Sequence, residues 1–173
     1  MRLRFMFAFV GVGLAIGCTI SKSIPAERSS DRSIGTAVAE AEEMRAEQLV
    51  WMDVPAAPQW ASGIRVARVH GDPTAGGDFT LRLRFPAGYV IPPHWHPKAE
   101  QVTVLSGTFV LGMGETAERS TARPYGVGDF LYMPGMMPHY GWTDGETLIQ
   151  VHGTGPFTTY TVGEVATPAR SGP

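Results

Sequence analysis

The chain holds a single cysteine, Cys18, so a scaffold of internal disulfides is excluded. Lysine is scarce as well: only Lys22 and Lys98 among 14 basic residues. Charged residues make up 17% and the formal charge is -2. No basic footprint for nucleic acid is present. No Gly-rich phosphate loop precedes a helix, and no serine sits in a nucleophile elbow. No long helical period runs through the chain, which excludes a coiled coil or helical bundle. What it does have is glycine (21), proline (14) and 43% hydrophobic residues in a length of 173. That is the composition of a turn-rich β domain with a sizeable core.

The first twenty residues read as an export signal. Arg2 and Arg4 form a basic start, and Phe5 to Gly17 follow without a charge. This stretch is short for a membrane span but suits the apolar part of a signal peptide. Leu14-Ala15-Ile16-Gly17-Cys18 resembles a bacterial lipobox, in which the cysteine is lipidated after cleavage. A plain secretory signal cut near Ala26, with an incidental cysteine, is the other reading. A retained single-pass anchor is a third. The first two export the protein, to a periplasmic or secreted location. Without Arg2 and Arg4, 12 basic residues face 16 acidic ones, a balance of about -4.

Residues 1–18 are thus the signal and lipobox region, and residues 19–50 a flexible tether with a short helix. The tether, 19–35, is Ser-rich and polar. The helix is expected over Thr36 to Val50, where Ala and Glu abound and Val38, Met44 and Leu49 form a loose stripe. From Trp51 the texture changes to short alternating apolar runs broken by Gly, Pro and Asp. Strands are expected at 63–69, 79–85, 100–105, 108–113, 128–133, 147–152 and 158–162. That spacing means an all-β sandwich or barrel. In the 79–85 run, Phe79, Leu81, Leu83 and Phe85 alternate with polar residues, so one face is core. Residues 164–173 read as a flexible tail.

Chemistry concentrates in the histidines. His94 and His96 are two apart in Pro92-Pro93-His94-Trp95-His96, so an extended chain turns both imidazoles to one face. Trp95 then points the other way, to packing or a dimer contact. Pro97 breaks the strand, and a brief turn brings Glu100 back to the same face. His139 arrives from a separate strand and turn. Three imidazoles and a carboxylate suit a divalent transition metal (Fe, Mn, Ni, Cu or Zn) rather than Ca or Mg. They leave one or two positions open on a six-coordinate ion, as substrate or dioxygen chemistry requires.

Gly88-x5-His94-x-His96-x3-Glu100-x6-Gly107 resembles the first motif of the cupin superfamily at every fixed position. Gly128-x5-Pro134-x-Met136-x2-His139 resembles the second, with two departures. Met136 stands where the pattern has glycine, and Thr143 where it has asparagine; Gly135 offers the turn one place earlier. The resemblance, to a single-domain bacterial cupin, covers residues 51–163. It implies an antiparallel jelly-roll β-barrel, a homodimer, and His94, His96, Glu100 and His139 as metal ligands.

Two functions remain open. One is a metal-dependent enzyme on a small organic molecule, of dioxygenase or isomerase type, with Glu100 as ligand and candidate catalytic base. The other is a non-catalytic cupin that binds or senses a small molecule or metal. No nucleic-acid partner is expected, and a membrane only through a lipid anchor. Met133, Tyr140, Gln150 and His152 are candidates to line the pocket, Gln150 and His152 only if their shared face points inward. His70, beside Gly71-Asp72-Pro73, reads as a surface turn residue. Glu115 reads as a solvated hairpin end, and Asp129 as part of a Gly-Asp turn.

Overall fold

The structure is a computed structural model that describes residues 41–57 and 60–163. The signal region, Cys18, the tether and the 164–173 tail lie outside the described residues. The strands are β1 (Trp51–Asp53), β2 (Arg65–His70), β3 (Gly77–Phe85), β4 (Val90–Trp95), β5 (Glu100–Ser106) and β6 (Phe109–Met113). They continue with β7 (Arg123–Tyr125), β8 (Phe130–Met133), β9 (His139–Thr143), β10 (Thr147–Gly155) and β11 (Tyr160–Thr161). Two sheets result, in the orders β1-β2-β3-β10-β5-β8 and β11-β4-β9-β6-β7. The strand pairs are antiparallel, and the architecture is the jelly-roll barrel that the motifs implied. Among the described residues no helix is long and apolar enough to cross a membrane.

Alternation decides which side chains go inside. On β3, Phe79 and Phe85 are buried and Leu81 and Leu83 pack against the same core, while Arg82 and Arg84 face outward. Ile149 and Val151 do the same on β10, beside Val102 and Val104 of β5. Each such side chain contributes roughly 1.5–3 kcal/mol on burial. Strand β10 runs three residues beyond its expected end, through Gly153. A Cβ there would lie 2.9 Å from the Phe79 ring, so glycine permits the close approach.

Two expectations need revision. Of the helix expected over Thr36 to Val50, the described part from Ala41 carries one 3₁₀ turn, Ala46–Gln48, with no buried residue. A stripe this loose gives a helix nothing to bury, and short isolated helices are marginal in water. Strands β1, β7 and β9 come from stretches without a clear alternating signal. Strand β4 contains Pro92 and Pro93, and its pairing with β9 shifts register between Ile91 and His94. Prolines lack the N–H a ladder needs, so the irregularity sits where they are.

Candidate metal centre

The first motif folds as its spacing predicted. His94 is on β4, His96 just follows it, and Glu100 opens β5 across a short turn. His139 opens β9 and stands opposite His94 in the β4–β9 register. One nitrogen from each of His94, His96 and His139 lies within 4.8 Å of the others, and all three residues are buried. Glu100 Oε2 lies 3.6 Å from His96 Nε2 and 3.4 Å from His139 Nε2.

Each imidazole is oriented by its other nitrogen. His94 Nδ1 is 2.8 Å from the Pro92 carbonyl, His139 Nδ1 is 3.0 Å from that of Met137, and His96 Nδ1 is 3.1 Å from that of Thr158. A carbonyl oxygen only accepts, so each Nδ1 carries the proton and donates it. That leaves each Nε2 with its lone pair, free to coordinate a metal, as in the usual arrangement for a metal-bound histidine. Burial, with the field of His139, lowers the His94 pKa to about 3, and burial lowers that of His96 too. Neutral imidazoles are what a metal requires. Burial raises the Glu100 pKa, but the His139, His96 and His94 rings outweigh it whenever one of them is protonated at Nε2 as well, and the net shift is downward. The donor set therefore fits a divalent transition metal.

The group sits at one side of a cavity of about 200 Å³. Apart from the four polar residues and Thr159, the walls are apolar and include Leu81, Leu83, Phe85 and Met133. Trp60 closes on His94 edge-to-face, with ring centroids 5.4 Å apart. Phe157 stacks on His96. Neither Trp60 nor Phe157 stood out in the sequence, because both lie in irregular segments with no apolar period.

Of the candidate lining residues, the structure brings Met133 to the cavity and places three elsewhere. Tyr140 follows inward-facing His139 and so turns to the other side of β9, where its hydroxyl donates to the Glu118 carbonyl. Gln150 and His152 alternate with the inward Ile149 and Val151, so they face outward. There Gln150 accepts from Arg82, and His152 pairs with Thr80. Trp95 points away from the histidines and stacks on Tyr160 at 4.6 Å. His70 is exposed and bonded to Glu42. Glu115 is exposed, and Asp129 accepts from the Gly126 N–H within its turn.

The second motif's departures have structural answers. Met136 itself takes the left-handed conformation, at φ 66°, so Gly135 does not supply that turn. Gly135 serves a close approach instead: a Cβ there would lie 2.4 Å from the Pro97 carbonyl oxygen. Thr143, fully buried, donates to the Pro86 carbonyl and accepts from the Tyr89 N–H.

Comparison with known proteins agrees with this fold. Two curated plant proteins from Oryza sativa subsp. japonica are similar over part of the chain. Germin-like protein 5-1 is 32% identical over 87 residues, 50% of this chain and 39% of its own length. Germin-like protein 2-4 is 33% identical over 104 residues, 60% of this chain and 44% of its own. This chain thus spans less than half the length of either relative. Among solved structures, a candidate acetylacetone dioxygenase from Methylibium petroleiphilum superposes with a TM-score of 0.57 at 18% identity, over 72% of this chain and 83% of that one. A cupin-superfamily sugar phosphate isomerase from Silicibacter pomeroyi gives 0.56 at 18% identity, over 71% and 83%. At such identities the likeness is one of fold. The family model for the ChrR cupin-like domain matches residues 41–158. The chain therefore belongs to the ChrR cupin-like family of the cupin superfamily.

Proposed function

We propose that the protein is a metal-dependent enzyme acting on a small, largely apolar organic molecule. His94, His96, Glu100 and His139 would hold one divalent transition metal (Fe, Mn, Ni, Cu or Zn). One observation carries the reading: three histidines with carbonyl-pinned Nδ1 atoms converge beside a carboxylate in an apolar cavity. When bound, the metal would supply Lewis-acid chemistry and, unless it is zinc, oxidation–reduction chemistry. The chain's own residues do the rest. Leu81, Leu83 and Phe85 exclude water and receive an apolar body. Trp60 covers the His94 side. Glu100 offsets the metal's charge and presents Oε2 as a proton acceptor.

The cavity lining contains one carboxylate, Glu100. An isomerisation that needs a separate acid and base finds no second carboxylate there, which favours the dioxygenase-type reading. The same shortage also favours a second reading, a non-catalytic cupin that binds or senses a small molecule or metal. The basic start and apolar run of residues 1–17 support export, with Cys18 as the point of lipid anchoring. Exposed Phe130 and Tyr132 on edge strand β8 support a homodimer.

Metal analysis of the purified protein beside a His94→Ala/His96→Ala double variant tests the site. About one metal per chain, lost in the variant, is expected. No uptake, even after anaerobic reconstitution, would sink the metalloenzyme reading. With metal bound, dioxygen consumption on aromatic and apolar oxygenated substrates separates enzyme from binder: saturable binding without turnover leaves the binding module.

A further inference from the structure

His96 is held differently from the other two histidines. His94 and His139 each donate to a carbonyl two residues back in the chain. His96 donates to Thr158, 62 residues away, and the Thr159 hydroxyl lies 3.3 Å from the same nitrogen. Phe157 stacks on the His96 ring with centroids 4.3 Å apart and planes within 23°. The partners of its Nδ1 and the ring stacked on its face therefore belong to the segment that follows β10.

That segment is fastened at its start. The Lys98 ammonium donates to the Gly155 carbonyl. The Phe157 N–H donates to the Pro73 carbonyl at 2.7 Å. Lys98 is half-buried and lies in the turn between His96 and Glu100. One short turn thus carries two of the polar site residues and also grips the segment that backs one of them.

We propose that Lys98 and Phe157 are positioning residues for the metal centre. Lys98 ties residues 155–159 against the ligand turn, and those residues aim His96. The proposal rests on the metal reading above. His94 and His139 are oriented from within their own stretches of chain, and His96 by this tertiary clasp. Loosening the clasp costs one ligand rather than the whole site. Neither residue enters the donor set, so the effect is on orientation.

Cobalt(II) titration of the purified full chain tests this, read by visible absorbance and by paramagnetically shifted ring N–H resonances. The wild type is expected to show three such resonances, one for each Nδ1–H. Lys98→Met keeps the length of the side chain and removes its donor. Affinity should fall roughly 10–100-fold, the range for loss of a residue that orients a ligand. One resonance should be lost to exchange with water while two remain. Lys98→Arg, which keeps a donor, should restore most of the affinity. If Lys98→Met does not fold, Phe157→Leu carries the same expectation. Wild-type affinity and three resonances in the tested variant would overturn the proposal. So would loss of all three together, which would mark a general structural role. Failure of the wild type to take cobalt would sink the metal reading, and this proposal with it.

Discussion

Glu100 Oε2 lies 3.4 Å from His139 Nε2, and the two residues come from opposite sheets. Glu100 begins β5 of the six-stranded sheet, and His139 begins β9 of the five-stranded one. A metal held by both would bridge the two layers. Metal loading should therefore raise the melting temperature, by mass action on the folded state. Glu100→Gln keeps the shape and removes the charge. Metal affinity should fall at least tenfold, and most of the metal-dependent rise should vanish. Paired thermal melts with metal and with chelator check this. An equal rise in both proteins would remove Glu100 from the donor set.

The metal-free protein should lose stability in mild acid. Burial lowers the pKa of His94 to about 3 and also that of His96, while an unfolded histidine titrates near 6.5. Below 6.5 the unfolded chain binds protons that the folded chain refuses. Stability is thus complete above 6.5 and falls as the pH drops toward 3. The slope is at most about 1.4 kcal/mol per pH unit for each histidine. The depressed Glu100 carboxyl adds its own loss once the pH falls through the ordinary carboxylate pKa toward its lowered one. Urea unfolding in chelator at pH 8, 6 and 5 measures the slope, and His94→Gln should reduce it. A flat profile would contradict the burial of neutral imidazoles.

Met136→Gly should stabilise the fold by about 1 kcal/mol. Its φ of 66° is left-handed, which costs a side-chain-bearing residue roughly 1–2 kcal/mol. Glycine's freer unfolded chain takes back part of that gain. The Met136 N–H donates to the His96 carbonyl at 2.7 Å, and the substitution keeps that bond. Equilibrium denaturation gives the sign directly.

Thr143→Val is nearly isosteric but leaves the Pro86 carbonyl and the Tyr89 N–H without their hydroxyl partner. The site is fully buried, so a loss of about 1–3 kcal/mol is expected. Denaturant midpoints for the two proteins test it, and metal stoichiometry should stay at the wild-type value.

Trp60→Ala should leave metal content unchanged and weaken binding of apolar ligands. The indole covers the cavity beside His94 without being a donor to the metal. Losing about 1.4 kcal/mol of apolar contact corresponds to a tenfold weaker Kd. Calorimetry with a small aromatic ligand separates this from a change at the metal.

Much of this was legible in the sequence, because alternation and short-range spacing are local. The 79–85 run showed its inner face, and the first motif placed His94, His96 and Glu100 together. The same alternation failed to settle Gln150 and His152. Period two says that they share a face, but not which face is inside. Ile149 and Val151, the more apolar set, decided it. Tyr140 followed the same rule from His139. Trp60, Phe157 and Lys98 left no local mark. Their roles depend on loops that meet the site from distant parts of the chain.

The pairing of His94 with His139 across β4 and β9 has one more consequence. Side chains on a strand alternate, so a slip of one residue in β4 would turn Trp95 toward the cavity and His94 out to the opposite face. A chain paired in that way would lack the histidine cluster altogether. Metal uptake would thus act as a proofreader of strand pairing, rewarding only molecules whose two sheets have closed in the right frame.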